Sequence, residues 1–431
     1  MKDFYDVIIV GCGSSGFGSG IRLSENSKKS ILVVDRLGGG GMGLANDCKI
    51  NVGNYKIGFT LDNWTEEQAN KYLKIVEEYL DPNYTNLNIE NLDVYIKRAK
   101  KYNTELLLVK QAHIGTDKSK HLIKKLMDRM TNNGVEIQLK KEIIDIDYDS
   151  KKVIFDNGEQ TIFGDLIIAV GRKGAFWFQE MMKKLDVKFN DNVVDVGVRL
   201  ELNNIDNKYP IIKDFYDPKF WFNDTSCRTF CTNSGKSGIV TERYDYENDY
   251  YYSVNGHSLS SDNAPNNLVN FSLLKTITLS NPETSGLDYG RALGKMAMVV
   301  GNYKPIMQRI SDLRLGKRSK KETFNEGYSF KPTLASACPG NIKMAMPAFI
   351  FEDIWKSLKI LDSITGGIMN GENILYYPEV KTYSTKPVFI DDNFQVKKNI
   401  WVSGDCAGNS RGITAAMCAG VRVADGILSK I

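Results

Sequence analysis

The sequence predicts an α/β protein: a parallel-sheet domain interrupted by an inserted, β-rich α+β domain. Three observations predict it. The chain opens with a strand, a glycine turn, a helix and a second strand. A further buried strand ending in glycine returns at Asp165–Gly171. The same strand–glycine–helix pattern resumes at Asn399 and closes the chain.

In the opening segment, Asp6-Val-Ile-Ile-Val10 is the continuous β-branched run of a strand buried on both faces. Gly11-Cys-Gly-Ser-Ser-Gly16 follows, then a helical stretch to Leu23 and a second buried strand, Ser30–Asp35. This is a βαβ unit. The run Gly38–Gly43 and an irregular stretch, 44–60, come next. Periodicity predicts helices over Thr65–Tyr79, Asn91–Lys101 and Lys118–Asn132, the last closed by Gly134. Val135–Tyr148 alternates like a strand, and Asp156-Asn-Gly158 between Val153–Phe155 and Thr161–Phe163 is a hairpin signal. From 176 to 370 strand-like runs alternate with polar turns, as at Val194–Leu202, Gly238–Glu242 and Tyr250–Val254. A long helix over Ile413–Lys430 ends the chain. The expected division is a discontinuous domain, 1–175 and 371–431, with a substrate domain, 176–370, inserted.

Composition excludes several classes. With 431 residues, 42% hydrophobic and 25% charged, the chain is neither disordered nor collagen-like. A net charge of +4 is not the footprint of a histone-like nucleic-acid binder. Seven scattered Cys form no C-x-x-C pair, and only three His are present, so neither a disulfide scaffold nor a zinc site is expected. The Val7–Val10 run is too short for a signal-peptide core, and no stretch is apolar enough to span a bilayer. The expectation is a cytoplasmic protein without a membrane partner or metal.

The glycine turn carries the first chemistry. In Gly11-x-Gly13-x-x-Gly16, Gly11 permits the tight turn and Gly13 lets a diphosphate approach the backbone. Gly16 lets the helix pack close to the strand. Ser14 and Ser15 lie in the same turn, and the helix N-terminus favours the phosphate charge. Asp35 ends the next strand, where it can accept from the adenosine ribose; Arg36 follows it. The C-terminal motif separates FAD from NAD. Ser403-Gly404-Asp405 ends a strand, and Gly412, Ile413 and Thr414 open a helix. In flavin folds of the glutathione-reductase type such an Asp holds the ribityl or phosphate region, and the helix start faces the flavin pyrimidine. Ala169 and Gly171 end the strand that divides the two halves of such a domain. Gly41 and Gly43, in a loop against the cofactor, and Ile143 complete the cofactor set. The fold class expected is thus α/β, a Rossmann-like FAD-binding domain carrying an inserted substrate domain.

Nearly end to end, the chain resembles the uncharacterised FAD-dependent dehydrogenases, also called NAD(FAD)-utilising dehydrogenases. The resemblance rests on Tyr5–Gly13, the run to Asn46-Asp-Cys-Lys49, His113–Asp117, Val170-Gly-Arg172, Asp195–Arg199 and Arg228–Cys231. Val254–Ser258, Tyr289-Gly-Arg291, Pro378-Glu379 and Gly404–Gly412 complete it. Asn46-Asp-Cys-Lys49 departs from the family's tendency to Ser-Asp-Gly-Lys, and a compact chain without the N-terminal additions of some members is expected.

For catalysis the candidates are His257, as a proton donor near the flavin, and Lys49, as a cation for flavin or substrate. A turn histidine and a solvated lysine are the alternatives. His113 is expected to contact cofactor or to cap the following helix, with Asp117 a natural N-cap. Cys231 is a weak candidate for a redox thiol, and Cys12 fills space beside the sheet. Arg199 and Glu201, two apart on a strand, share a face and are expected to pair, with orientation of an anionic substrate as the alternative. Two basic clusters, 97–101 and 314–321, are read as solvated faces unless they flank the flavin cleft.

The expected function is hydride transfer between flavin N5 and an unidentified small organic substrate. No second dinucleotide fingerprint exists, so either NAD(P)H docks briefly on the open flavin face as a transient reductant or the organic substrate itself supplies the electrons. An FAD-dependent enzyme acting on nucleic acid and a non-catalytic flavin sensor are the alternatives.

Overall fold

The computed structural model describes all residues except 42, 48, 85–88, 247–248, 260–265, 280–284, 326, 384 and 431. Cys48 of the Asn46–Lys49 motif lies outside the described residues. The chain divides into two compact units. The first comprises Met1–Tyr84, Ala112–Asn192 and Tyr383–Ile431; the second comprises Thr85–Gln111 and Val193–Thr382. The segment 85–111, read from sequence with the nucleotide-binding domain, therefore belongs to the second unit, as does 371–382. Residues 176–192 belong to the first.

The first unit is built on a parallel sheet. Its strands Phe4–Val10, Ile31–Asp35, Glu136–Leu139, Gln160–Ile168 and Ile400–Val402 lie in the spatial order 3-2-1-4-5. This is the Rossmann-like arrangement, with its switch point between the first and fourth strands. Residues on the opening strand alternate between two cores. Val7 and Ile9 pack with Phe17, Ile21 and Met417 on one face. Ile8 and Val10 pack with Phe163, Phe178 and Met182 on the other. Burial on both faces is why the strand reads as an unbroken β-branched run. Truncating such a side chain, Ile9→Ala for example, costs about 2–5 kcal/mol.

An antiparallel meander, Ile143–Asp147, Lys152–Phe155 and Gln160–Ile168, grows from the fourth strand. Gly158 adopts φ 81° in the expected hairpin turn. The single strand expected over 135–148 is broken in two at Lys140, which has φ 56°. One half joins the parallel sheet and the other joins the meander. The helix Glu66–Leu80 starts at Thr65 with a reciprocal capping box to Gln68. The helix Ser119–Asn132 has Lys118, not Asp117, at its N-cap, and Gly134 follows its end with φ 83°. Among the described residues no helix is long and apolar enough to cross a membrane.

The second unit is built on an eight-stranded, largely antiparallel sheet. Its central strand, Val194–Asn203, is buried along nearly its whole length between Leu268–Ile277 and Ile374–Thr382. A separate hairpin pairs Ser237–Tyr246 with Asp249–Ser258. The helix Ala348–Thr365 buries Ile350, Ile354, Leu358 and Leu361, an apolar stripe at helical spacing.

Candidate functional site

In the first unit, the loops at the carboxyl ends of the first, fourth and fifth parallel strands meet at the switch point. The backbone explains why the sequence needs glycine there. Gly11 has φ 110°, and a Cβ on it would meet Ala169 O at 2.4 Å. A Cβ on Gly16 would meet Gly11 O at 1.9 Å. Gly13 differs: its Cβ would meet only Gly41, at an ordinary 3.6 Å from Cα and 3.9 Å from N. The protein's own packing does not require glycine at 13, and the space above it is open to that extent.

The turn is locked by Asp35. Its Oδ2 accepts from the Cys12 N–H at 2.8 Å and its Oδ1 from the Leu37 N–H at 2.7 Å. Each oxygen retains a second lone pair. Arg36 is half exposed and lies 3.8 Å from Glu142. Gly41 stands against Gly13, and Gly43 against Ile413, where a Cβ would come within 3.1 Å of the isoleucine side chain. The Cys12 thiol is buried and pushed up to about 12, first by burial and then by Asp35, so it is an inert space-filler as expected.

The C-terminal motif is held against this turn. The helices Ser14–Asn26 and Gly412–Leu428 cross closely through glycines: a Cβ on Gly18 would lie 2.2 Å from Met417 O, and one on Gly420 would lie 2.0 Å from Ser15 O. Ser15 Oγ donates to Ser403 Oγ at 2.6 Å. Neither helix has a side-chain N-cap or an acidic residue in its first turn. Both helices therefore start without a side-chain cap or a carboxylate of their own first turn, which leaves the positive dipole ends uncompensated from within the helix.

Asp405 lies at the start of the turn Asp405–Ala407, with its side chain 17% exposed. Its Oδ1 is buried without a hydrogen-bond partner among the described residues. Arg172 Nε approaches its Oδ2 at 3.6 Å. Burial raises the carboxyl above its usual range, opposed by Arg172, Arg411 and the Gly412 N–H. The neighbouring Ser410 Oγ and Asn409 Nδ2 are likewise buried without partners among the described residues. Asn409 is braced from below: its carbonyl accepts from Trp64 Nε1 at 2.7 Å and its Oδ1 from the Gly404 N–H at 3.1 Å. Ile413 and Thr414 are buried in the first turn of the closing helix.

Of the remaining expected residues, Ala169 and Gly171 border the site, Gly171 with φ 64°. Ile143 directs its side chain into the core, 4% exposed, which leaves only its backbone for any ligand. Lys49 is in the first unit and is buried, not solvated, at 6% exposure. His257 belongs to the second unit, on the hairpin opposite Gly238. A Cβ on Gly238 would meet its Nε2 at 2.7 Å, so the glycine makes room for the ring. Burial holds the imidazole below its usual range.

The expected Arg199–Glu201 pair does not form. Arg199 instead makes a bidentate pair with Glu379, Nε to Oε2 at 2.8 Å and Nη2 to Oε1 at 2.9 Å, both side chains fully buried. Glu201 accepts from Tyr376 Oη at 2.7 Å and from the Thr333 hydroxyl. Strand spacing gave the shared face correctly, but the neighbouring strand supplied the better-matched carboxylate. The basic clusters both lie in the second unit. Arg98 Nη1 and Arg314 Nη2 donate to Ile364 O and Met369 O, at and beyond the end of the helix Ala348–Thr365. That is a normal place for cations, near the negative end of a helix dipole.

Arg172, Ser403, Asn409 and Arg411 were missed as site residues. All four lie within or beside the glycine-bearing motifs, Arg172 directly after Gly171 and Arg411 directly before Gly412. That adjacency was the available signal.

Residues 5–178 match the family model described as pyridine nucleotide-disulphide oxidoreductase. An uncharacterized protein of Clostridium beijerinckii (strain ATCC 51743 / NCIMB 8052) is 23% identical over 352 residues, covering 76% of this chain. The chain spans 63% of that relative's length. Among solved structures, L-proline dehydrogenase from P. horikoshii aligns over 100% of this chain and 95% of its own, with 8% identity and a TM-score of 0.44. Glycine oxidase from Geobacillus kaustophilus aligns over 100% and 94%, with 11% identity and a TM-score of 0.41.

Proposed function

We propose that this chain is an FAD-dependent oxidoreductase that moves a hydride between the flavin N5 and a small organic substrate. One observation carries the reading. Asp405, with a buried oxygen that lacks a partner among the described residues, stands beside a turn and a closing helix whose first turns carry no side-chain cap. A carboxylate and two dipole ends suit a dinucleotide that has hydroxyl donors, a diphosphate and an electron-accepting ring. The family match over residues 5–178 supports the same reading.

In it, the Gly11–Gly16 turn holds the diphosphate. Asp35 uses its remaining lone pairs for the adenosine ribose, and Asp405 takes the ribityl or diphosphate region. Gly412 turns its N–H to Asp405, and Ile413 and Thr414 present backbone N–H groups to the ring's pyrimidine end. Bound FAD supplies the two-electron chemistry; the chain orients, shields and sets the local charge. NAD(P)H serves as a transient reductant without a fold of its own.

The test is direct. Purified protein should be yellow and release FAD on denaturation, identified by chromatography. Colourless protein that fails to take up FAD, or release of FMN alone, contradicts the reading. Stopped-flow bleaching by NAD(P)H, with and without a substrate analogue, tests the reductant.

A further inference from the structure

We propose that Arg172 is a positioning residue for the cofactor: it holds the Asp405 carboxylate in place as a hydrogen-bond acceptor for FAD. The proposal rests on the FAD reading above and assigns a task to a residue outside the glycine motifs.

The sheet brings the two residues together. The strands Gln160–Ile168 and Ile400–Val402 pair in parallel, with Ile168 opposite Val402, so their carboxyl-end loops emerge side by side. Ser403 N–H donates to Ile168 O at 3.0 Å. Each loop then turns in the same way. Gly171 (φ 64°, ψ −173°) opens the turn that starts at Arg172, and Gly404 (φ 89°, ψ −162°) opens the turn that starts at Asp405. The register therefore sets guanidinium against carboxylate, Nε to Oδ2 at 3.6 Å, with side chains only 19% and 17% exposed. Oδ2 faces Arg172, and Oδ1 has no partner among the described residues. A carboxylate anchored by one oxygen and open at the other is an acceptor waiting for a donor.

Electrostatics supports the geometry. Burial disfavours the charged form of Asp405, and three groups face it in opposition: Arg172, Arg411 and the Gly412 N–H. Arg411 lies over the Tyr383 ring, 4.0 Å from its centroid, while Arg172 makes the ion pair. Without Arg172 the carboxyl should take up a proton at a higher pH. The neutral acid accepts hydrogen bonds less strongly.

The experiment titrates FAD into apo-protein, read by flavin fluorescence, across a range from about pH 5.5 to about pH 8.5. Wild type, Arg172→Gln, Arg172→Lys, Asp405→Asn and the Arg172→Gln/Asp405→Asn double variant are compared. In Arg172→Gln, Kd should rise by up to about tenfold per pH unit below the carboxyl's new pKa, starting at a higher pH than in wild type. Arg172→Lys should restore most of the wild-type profile. In the Asp405→Asn background, Arg172→Gln should add little, since the group it acts through is gone. A wild-type Kd and pH profile in Arg172→Gln overturns the proposal. So does an equal loss at every pH that persists in the Asp405→Asn background, because that is a purely structural role. If Arg172→Gln does not fold, an Arg172→Lys profile no different from wild type supports the proposal, and a pH-independent loss in Arg172→Lys overturns it. Failure of wild type to bind FAD at any pH is a separate result: it removes the cofactor reading, and this proposal with it.

Discussion

Gly13 and Gly16 are three residues apart in one turn, yet the structure assigns their side-chain space to different owners. At Gly16 an added methyl would lie 1.9 Å from Gly11 O, a backbone atom that cannot step aside. At Gly13 the nearest atom is Gly41 Cα at 3.6 Å, and the backbone (φ −98°, ψ −166°) is one that alanine adopts freely. Gly16→Ala should therefore destabilise the apo-protein by about 1–3 kcal/mol, the usual cost of overpacking, or by more because the clash is with main chain. Gly13→Ala should leave apo stability within about 1 kcal/mol of wild type, because alanine restricts the unfolded chain without straining the folded one. Its effect should instead fall on FAD, whose diphosphate needs the space above the turn. A loss of at least about tenfold in Kd is expected, ~1.4 kcal/mol. Denaturant unfolding of apo-protein and a fluorescence titration with FAD separate the two quantities; apo-protein must be used because bound ligand itself raises apparent stability. Wild-type FAD affinity in Gly13→Ala would refute the reasoning, as would destabilisation equal to that of Gly16→Ala.

Asp405→Ala should lower FAD occupancy, with a loss of about 1.5–3 kcal/mol for a charge-assisted hydrogen bond, measured by the flavin-to-protein absorbance ratio after dialysis. Glu379→Gln leaves Arg199 buried without its counter-charge and should destabilise the protein by about 3–5 kcal/mol in urea unfolding. The Glu379 carboxyl is held below its ordinary value of 4.5 despite burial, by Arg199 first and then Lys381. Its contribution is thus present above pH 4.5 and lost as pH falls through the lower folded value; Glu379→Gln should flatten that acid limb. His257 is shifted below 6.5 by burial, so it contributes stability above pH 6.5 that is lost as pH falls, and its ring-proton NMR titration should have its midpoint below 6.5.

The first unit was legible because local sequence and tertiary role agree there. Asp6–Val10 is apolar on both faces since the strand it forms is covered on both faces. Gly11, Gly16 and Gly404 are glycines because backbone or side-chain atoms crowd their Cβ positions. The hairpin at Gly158 and the capped helix after Thr65 were readable for the same reason: each signal acts over three or four residues. Asp117 failed as a cap because the helix begins one residue later than its N-cap signal predicted.

What required tertiary structure was every choice of partner across the chain. Sequence alone determined that Arg199 and Glu201 share a face, but the partner of Arg199 is Glu379, 180 residues away on an adjacent strand. It determined that 85–111 is partly helical, and the three-dimensional contacts decided that the segment belongs to the second unit. It marked Asp405 by its motif, and only the parallel register of two distant strands set Arg172 beside it. The physical reason is common to all three. Turn geometry, periodicity and burial pattern are encoded in neighbouring residues, whereas ion-pair partners and domain membership depend on which strands pair, a contest settled by the whole chain.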